Sequence, residues 1–256
     1  MMGILSLFKL DGEKAIVTGA ARGLGKEIAI GFAEAGADVA IVDILAKEGE
    51  ETAAEIEKLG RKAIAIEGDV TKEEDVKKAI ETVIAKFGKI DILVCNAGIV
   101  SWIPAEEMGF EEFKEIMDTN LNGVFLCNKW VGREMIKQRK GSIINVSSIS
   151  AFVVNYPQKQ CHYNTSKAGV IQLTKCLAFE WAPYNVRVNT VCPGYMNTPL
   201  LKLADKKYLD QWASVAAQKR IADPSELKGI FVFLASQASS FFTGSAVVAD
   251  GGYSLW

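Results

Sequence analysis

The chain reads as a doubly wound α/β protein: a parallel seven-stranded sheet with helices on both faces, in a single domain over residues 1–256. Three observations carry that reading. Short β-prone runs alternate with helical patterns along the whole chain, as in parallel strands joined by crossover helices. A glycine-rich turn, Gly19-Ala20-Ala21-Arg22-Gly23-Leu24-Gly25, separates the first run from the first helix. Polar, chemistry-bearing residues gather where the runs end, which is where ligands bind in an open α/β sheet.

The first strand covers residues 14–18. After the glycine turn, Ile28, Ala29, Phe32 and Ala33 form the inward stripe of a helix over 26–35, stopped by Gly36. The second strand, 38–43, ends in Asp43, 24 positions after Gly19. This is the layout of a Rossmann-type dinucleotide site. Glycines let the backbone approach a pyrophosphate, the helix N-terminus meets its charge, and the acid accepts hydrogen bonds from the adenosine ribose. The spacing G-x-x-x-G-x-G departs from the commoner G-x-G-x-x-G. A helix over 46–59 is closed by Gly60, and a third strand, 62–67, runs into Gly68-Asp69-Val70. Thr71 is expected to cap a helix over 72–87, with Glu74 completing a capping box.

The fourth strand, 91–95, leads into Asn96-Ala97-Gly98. A long helical pattern over 110–138 is interrupted around 120–123. The fifth strand, 142–146, precedes Ser147-Ser148; a helix follows over 161–181. The sixth strand, 186–191, precedes Cys192-Pro193-Gly194. Residues 195–222 hold no strand; they form a lid for the substrate, weakly helical over 200–218. A helix over 226–235 and a strand over 246–249, before Asp250-Gly251-Gly252, complete the alternation.

Bulk properties exclude several classes. Hydrophobic residues make up 49% and charged residues 23%, as in soluble globular proteins. A net charge of −2 gives no reason to expect nucleic acid or an anionic membrane as partner. The five cysteines are scattered with no C-x-x-C pair, which argues against disulfides and against a metal site and fits a cytoplasmic location. The apolar residues 1–8 lack a basic flank and a cleavage site, so they read as a lead-in rather than a signal peptide. The only histidine is His162, so no histidine cluster is available.

Tyr163 and Lys167 lie four positions apart, on one face of their helix. A phenol titrates near pH ~10. An ammonium beside it favours the phenolate and lowers that value, which makes the pair an acid/base unit for a hydroxyl.

Taken together, T-G-x-x-x-G-x-G at 18–25, Asp69-Val70, Asn96-Ala97-Gly98, Asn120, Ser147-Ser148, Y-x-x-x-K at 163–167 and Pro193-Gly194 resemble the short-chain dehydrogenase/reductase family over residues 11–252. The resemblance implies a hydride transfer between a nicotinamide cofactor and a secondary alcohol or ketone. It assigns Asn120, Ser148, Tyr163 and Lys167 as the catalytic set. Tyr163 is the general base in oxidation and the general acid in reduction. Ser148 holds the substrate oxygen, with Ser147 as its rival for that role. Lys167 lowers the Tyr163 pKa and binds the nicotinamide ribose, and Asn120 holds a water that links Lys167 to solvent.

For the cofactor, the resemblance assigns Gly19, Arg22, Gly23, Leu24 and Gly25 to the phosphates, and Asp69 and Val70 to the adenine. Asn96, Ala97 and Gly98 pass the riboses, while Pro193, Gly194, Met196 and Thr198 clamp the carboxamide. Asp43, followed by Ile44 rather than arginine, favours NAD, because a 2′-phosphate would meet a carboxylate; Arg22 argues the other way, for NADP. NAD is the expectation.

The runs 154–158, 180–184, 193–196 and 250–256 are similar to mannitol, sorbitol, arabinitol and threitol dehydrogenases and to gluconate 5-dehydrogenase. That implies a polyol, ketose or sugar-acid substrate, with Asn155, Gln158 and His162 as candidates for its hydroxyls. The alternative is a 3-oxoacyl-carrier-protein reductase or a general carbonyl reductase. A carrier-protein reductase calls for a basic patch, here Lys202, Lys206, Lys207 and Lys219, diluted by Asp205 and Asp210. A homotetramer is expected by the same resemblance, with Trp256 reaching a neighbouring subunit. His162 points about 100° away from Tyr163 on the helix and is expected to pack or to face an interface.

Overall fold

The computed structural model describes residues 3–201 and 204–255; Lys202 and Trp256 lie outside the described residues. Its strands are β1 (Lys14–Thr18), β2 (Asp38–Asp43), β3 (Ala63–Glu67), β4 (Ile92–Cys95), β5 (Gly141–Val146), β6 (Val186–Pro193) and β7 (Ala246–Ala249). They form one sheet in the order β3-β2-β1-β4-β5-β6-β7, with every pair parallel. The chain runs outward from β1 to β3, then returns to place β4 on the other side of β1. Between β1 and β4 the crossovers diverge to opposite faces, which opens a crevice at the carboxyl ends.

Strand side chains alternate between two cores. Ala15, Val17, Val39, Ile41, Val94 and Val146 face α1 (Gly23–Glu34), α2 (Ala46–Lys58) and α8 (Lys228–Ala235), where Phe32, Ile56 and Phe231 fill the interface. Ile16, Ala40, Val42, Leu93, Ile143 and Val188 face α3 (Glu73–Phe87), α5 (Gly123–Gln138) and α6 (Cys161–Trp181), packing on Val83, Met135 and Val170. A third, smaller cluster of Ile149, Trp212, Ala216 and Tyr253 seats the lid. Among the described residues no helix is long and apolar enough to cross a membrane.

The elements depart from the sequence expectation in instructive places. α1 begins at Gly23, inside the glycine turn, rather than at Lys26. Thr71 does not cap α3. Its hydroxyl and its backbone N–H both donate to the Asp69 carboxylate, at 2.7 and 3.0 Å, so the cap position falls to Lys72. The interruption around Asn120 is a π-helical turn, Asp118–Asn122, between α4 (Phe110–Met117) and α5. Among the described residues of 195–222 the α-helix is α7 (Lys206–Val215), shorter than the expected 200–218; Ala216 turns extended and Lys219 takes a positive φ of 57°. Asp223 and Glu226 form the capping box that starts the turn ahead of α8.

α1 sits so close to β1 that a Cβ on Gly25 would strike the Gly19 carbonyl oxygen and approach the Asn96 amide to 2.5 Å. Gly25→Ala improves helix propensity by about 1 kcal/mol. It is nevertheless expected to lower the thermal midpoint, because backbone in contact with backbone cannot give way. A midpoint that rises in calorimetry would show that the close approach is absent.

Candidate active site

The crevice between β1 and β4 is held by one side chain. Asn96 follows β4, and its amide donates to the carbonyls of Thr18 (3.1 Å) and Gly19 (2.9 Å). The Thr18 hydroxyl in turn accepts from the backbone N–H groups of Asn96 and Ala97. A Cβ on Gly19 would lie 2.7 Å from the Ala97 Cα, so this crossing admits only glycine. Asn96, expected at a ribose, thus has its amide occupied in joining the two halves of the sheet. Thr18 is a structural partner that sequence reasoning saw only as a motif letter.

The residues expected to face a nucleotide line up along this crevice. Arg22, the N-cap of α1, makes no side-chain cap, and the first turn carries no acidic residue. Its unpaired N–H groups and the helix dipole therefore favour an anion. Gly23, at φ +62°, lies against Thr198 and Pro199, so the start of the lid stands over the glycine turn. The Asp43 carboxylate accepts from the Ala21 N–H (2.9 Å) and the Leu45 N–H (3.0 Å), which aims it across the turn. Asp69 and Val70 border a small cleft with Ile16, Val42, Val76 and Leu93. Burial pushes the Asp69 carboxyl up, but the Thr71 and Lys72 donors outweigh it and hold it below its usual range. Pro193 ends β6, Gly194 abuts Asp250, and Met196 is buried and bridges to Ala222. These features fit a dinucleotide: a donor-rich helix start, glycine clearance and a fixed ribose acceptor. Among the described residues no group of His, Cys, Asp or Glu is arranged to hold a metal ion.

The four residues of the expected catalytic set surround the end of this crevice. α6 presents Tyr163 and Lys167 on one face, with the Lys167 ammonium 5.7 Å from the Tyr163 ring centroid. Lys167 Nζ donates to the Val146 carbonyl at 2.9 Å. Asn120 sits wholly buried in the π-turn, where its Oδ1 accepts from the Ile99 N–H (2.8 Å) and its Nδ2 donates to the Ile99 carbonyl (2.9 Å). A Cβ on Gly98 would lie 3.1 Å from Asn120 Oδ1 and 3.5 Å from Lys167 Nζ, so Gly98 marks where these two groups converge. π-turns recur at functional sites because they re-aim a side chain. The two serines separate cleanly. Ser147 donates to the Lys167 carbonyl at 2.7 Å and so fixes α6 to β5. The Ser148 hydroxyl lies beside the Tyr163 phenol.

Burial sets the proton affinities. It pushes the Tyr163 phenol above its usual value, and the Ser148 hydroxyl offsets part of that rise. It also pulls the Lys167 ammonium down to about 8. The lowering of Tyr163 by Lys167 expected from their spacing is therefore not what dominates here. The ammonium is itself short of solvent and faces a carbonyl, and burial is the larger effect on the phenol.

Asn155 and Gln158, expected to offer amides to substrate hydroxyls, are buried and turned to Tyr195. Asn155 Nδ2 and Gln158 Nε2 both donate to its hydroxyl, at 2.9 and 2.7 Å. His162 is fully buried, with Nε2 2.7 Å from the Ser101 hydroxyl; it anchors the segment after Gly98 to α6. Ser150, Ser166, Tyr195 and Trp212 also belong to the site's surroundings, and the sequence reading gave none of them a role.

A family model described as enoyl-(acyl carrier protein) reductase matches residues 19–254. The chain is 42% identical over 253 residues to a sorbose reductase from Candida albicans, covering 98% of this chain and 90% of the relative. It is 40% identical over 254 residues to an NADP-dependent mannitol dehydrogenase from Hypocrea jecorina, covering 98% and 95%. A galactitol 2-dehydrogenase from Rhizobium johnstonii is 40% identical over 253 residues, covering 97% and 98%. Among solved structures, a short-chain type dehydrogenase/reductase from Mycobacterium marinum superposes with a TM-score of 0.97 at 43% identity, covering 98% and 99%. A gluconate 5-dehydrogenase from Burkholderia cenocepacia in complex with NADP and tartrate gives 0.94 at 34% identity, covering 99% and 100%.

Burial also lowers the His162 pKa below 6.5, outweighing the Gln160 backbone and Glu112, which raise it. The unfolded chain then binds more protons below about pH 6.5, so this group's contribution to stability is present above that pH and is lost as pH falls toward the folded value. As the sole histidine, His162 gives one imidazole signal in a proton NMR titration. Its midpoint is expected below 6.5; a midpoint at or above that value would contradict the buried, neutral ring.

Proposed function

The chain belongs to the short-chain dehydrogenase/reductase family, and from that premise we propose that it interconverts a polyol or sugar acid and its keto form. The enzyme is an oxidoreductase dependent on a nicotinamide nucleotide. The observation that carries the proposal is the convergence of Ser148, Tyr163, Lys167 and Asn120 at the end of a crevice fitted to a dinucleotide. The names of the sorbose, mannitol, galactitol and gluconate relatives support the substrate class.

When bound, the nicotinamide takes or gives the hydride; the chain's own residues manage the proton. In oxidation the Tyr163 phenolate accepts the proton of the substrate hydroxyl, and in reduction the phenol returns it to the carbonyl oxygen. Ser148 donates to that same oxygen and holds it at Tyr163. The raised phenol pKa suits the acid role at neutral pH, so the base role needs more positive charge near the ring than Lys167 supplies here. Lys167 Nζ, one hydrogen bond from Val146, is placed to reach the ribose and to re-supply the proton. Asn120, buried and held by its bonds to Ile99, would position the water that links Lys167 to solvent.

A carrier-protein reductase is less well supported. Lys207 pairs with Asp205 at 3.4 Å, and Arg220 is paired with Glu226, so much of the lid's positive charge is already matched. Exposed Phe110, Phe125, Phe179 and Phe241 fit burial in a homotetramer, and a cytoplasmic location belongs to the same proposal.

On the form of the nucleotide two arguments diverge. If Asp43 faces the adenosine ribose, its acceptor-only carboxylate would oppose a 2′-phosphate, which favours NAD. The mannitol relative and the gluconate 5-dehydrogenase complex carry NADP in their descriptions, which favours NADP. NADP use would require Arg22 to offset Asp43. Whatever the wild-type ratio, Asp43→Asn is expected to shift relative kcat/KM toward NADP by about tenfold, the value of roughly 1.4 kcal/mol of relieved repulsion. An unchanged ratio would remove Asp43 from the 2′ position.

Absorbance at the nicotinamide band, across polyols, ketoses and sugar acids with both nucleotides, tests the activity. Turnover of at least one class is expected; turnover of none would sink the substrate reading. Tyr163→Phe is expected to lower kcat by about 10²–10⁴-fold, the usual worth of a positioned acid/base, with nucleotide affinity kept. Retained turnover would overturn the assignment of the proton to Tyr163.

A further inference from the structure

Beneath the lid runs a buried polar seam that the proton path above does not use. Trp212 is the one buried residue of α7 among those described, 1% exposed. It stacks on Tyr195, with centroids 4.3 Å apart and planes within 7°, and meets Tyr208 and the edge of Trp102. Its Nε1–H donates to Gln158 Oε1 at 3.1 Å. The other end of that same amide, Nε2, donates to the Tyr195 hydroxyl at 2.7 Å, where Asn155 Nδ2 arrives at 2.9 Å. Asn155 Oδ1 accepts from Gln160 Nε2 at 3.1 Å, and Gln160 also reaches the Ser150 hydroxyl, at 3.5 Å. Ser150 Oγ accepts from the Ser148 hydroxyl at 3.0 Å, while the Ser150 N–H donates back to Ser148 Oγ at 3.1 Å. Asn155, Gln158, Gln160 and Ser150 are each between 5% and 8% exposed.

We propose that Gln158 is a positioning residue that couples the seating of the lid helix to the orientation of the Ser148 hydroxyl. The inference rests on the reading of Ser148 as the group that holds the substrate oxygen. Gln158 is suited to the task because its amide is a rigid plane. If Trp212 moves with α7, the plane must follow or leave a buried N–H unpaired, and an unpaired buried donor is strongly disfavoured. The same rotation moves Nε2 away from Tyr195, which frees Asn155 and, through Gln160, loosens Ser150. Ser150 holds Ser148 in two ways. Its N–H fixes the oxygen and its Oγ takes the proton, so the Ser148 proton turns toward substrate only when the Ser150 acceptor yields it. A fully satisfied polar network has few alternative arrangements, and this makes it able to transmit a displacement. Direct contact of Gln158 with substrate is the competing role, and its two amide ends are both already occupied.

A double-mutant cycle on kcat tests this, run with whichever secondary alcohol or ketone the enzyme turns over fastest. Failure of the polyol class therefore leaves the test intact. Gln158→Leu and Ser150→Ala are each expected to lower kcat by about tenfold, with KM and nucleotide Kd within about twofold. The double variant should fall no more than about twofold below the worse single one, as residues acting through one path do. Losses that multiply to about a hundredfold would overturn the coupling. A raised KM with kcat unchanged in Gln158→Leu would overturn it in favour of direct substrate contact. Trp212→Phe keeps an aromatic ring against Tyr195 but removes the N–H together with the five-membered ring of the indole. It replaces Gln158→Leu in the cycle, with the same two outcomes decisive, if that variant does not fold.

Discussion

The structure depends on the amide of Asn96. A parallel sheet wound in two directions leaves a gap where the crossovers part, between β1 and β4, and nothing in the strand ladder alone fixes the turns that leave its ends. Asn96 donates to the last two carbonyls on the β1 side, Thr18 and Gly19. Thr18 answers with a hydroxyl that accepts two N–H groups from the β4 side. With the two turns locked together, Gly19 and Gly25 have no room for a side chain, and α1 starts with its N–H groups facing the crevice. The same lock sets Gly98 against Asn120 and Lys167. A polar residue at a ligand-binding crevice is readily taken for a ligand contact; this one builds the crevice.

Burial governs the chemistry that the crevice supports. Lys167 is drawn down to about 8 and Tyr163 is pushed up, both by loss of solvent. These opposite shifts separate an amine and a phenol that ordinarily titrate close together, and they put the amine below the phenol. A lysine near 8 can lose its proton as well as hold it, which a relay requires and a mere counter-charge does not. With its raised phenol, Tyr163 is suited to the acid role, and the base role would call for added positive charge near the ring, which an oxidised nicotinamide would supply if bound there.

The alternation of strands and helices, the turn and acid of the nucleotide site, and the Tyr163–Lys167 face were all legible in the sequence. They are local patterns with fixed periods, and a period survives folding. The interruption at Asn120 was visible too, because a π-turn breaks a helical stripe by one residue. What could not be read was competition. Thr71 looked like a cap until Asp69, two residues earlier, took its hydroxyl. Asn155 and Gln158 looked available until the fold brought Tyr195 to them from forty and thirty-seven residues away. A side-chain amide has no periodicity, so its partner is decided by tertiary distance alone. Ser148 was preferred over Ser147 on resemblance alone; the physical difference, that Ser147 faces the Lys167 carbonyl, is likewise a tertiary one.

This distinction bears on what the amides beneath α7 can do. Exposed amides bind hydroxyls directly, but they also rotate, and a rotating donor discriminates poorly between stereoisomers. Here the amides nearest the lid are buried and satisfied, so they do not adapt to the ligand; they hold Tyr195, Trp212 and Ser148 in fixed relation. On the proposed function, an oriented Ser148 hydroxyl beside this rigid aromatic wall would act on the reacting geometry rather than on binding alone. Selection then appears in kcat as much as in KM, since only interactions stronger in the transition state raise the rate. The polar seam, with its amides already paired to protein groups, would leave any such selectivity to the surface in front of it.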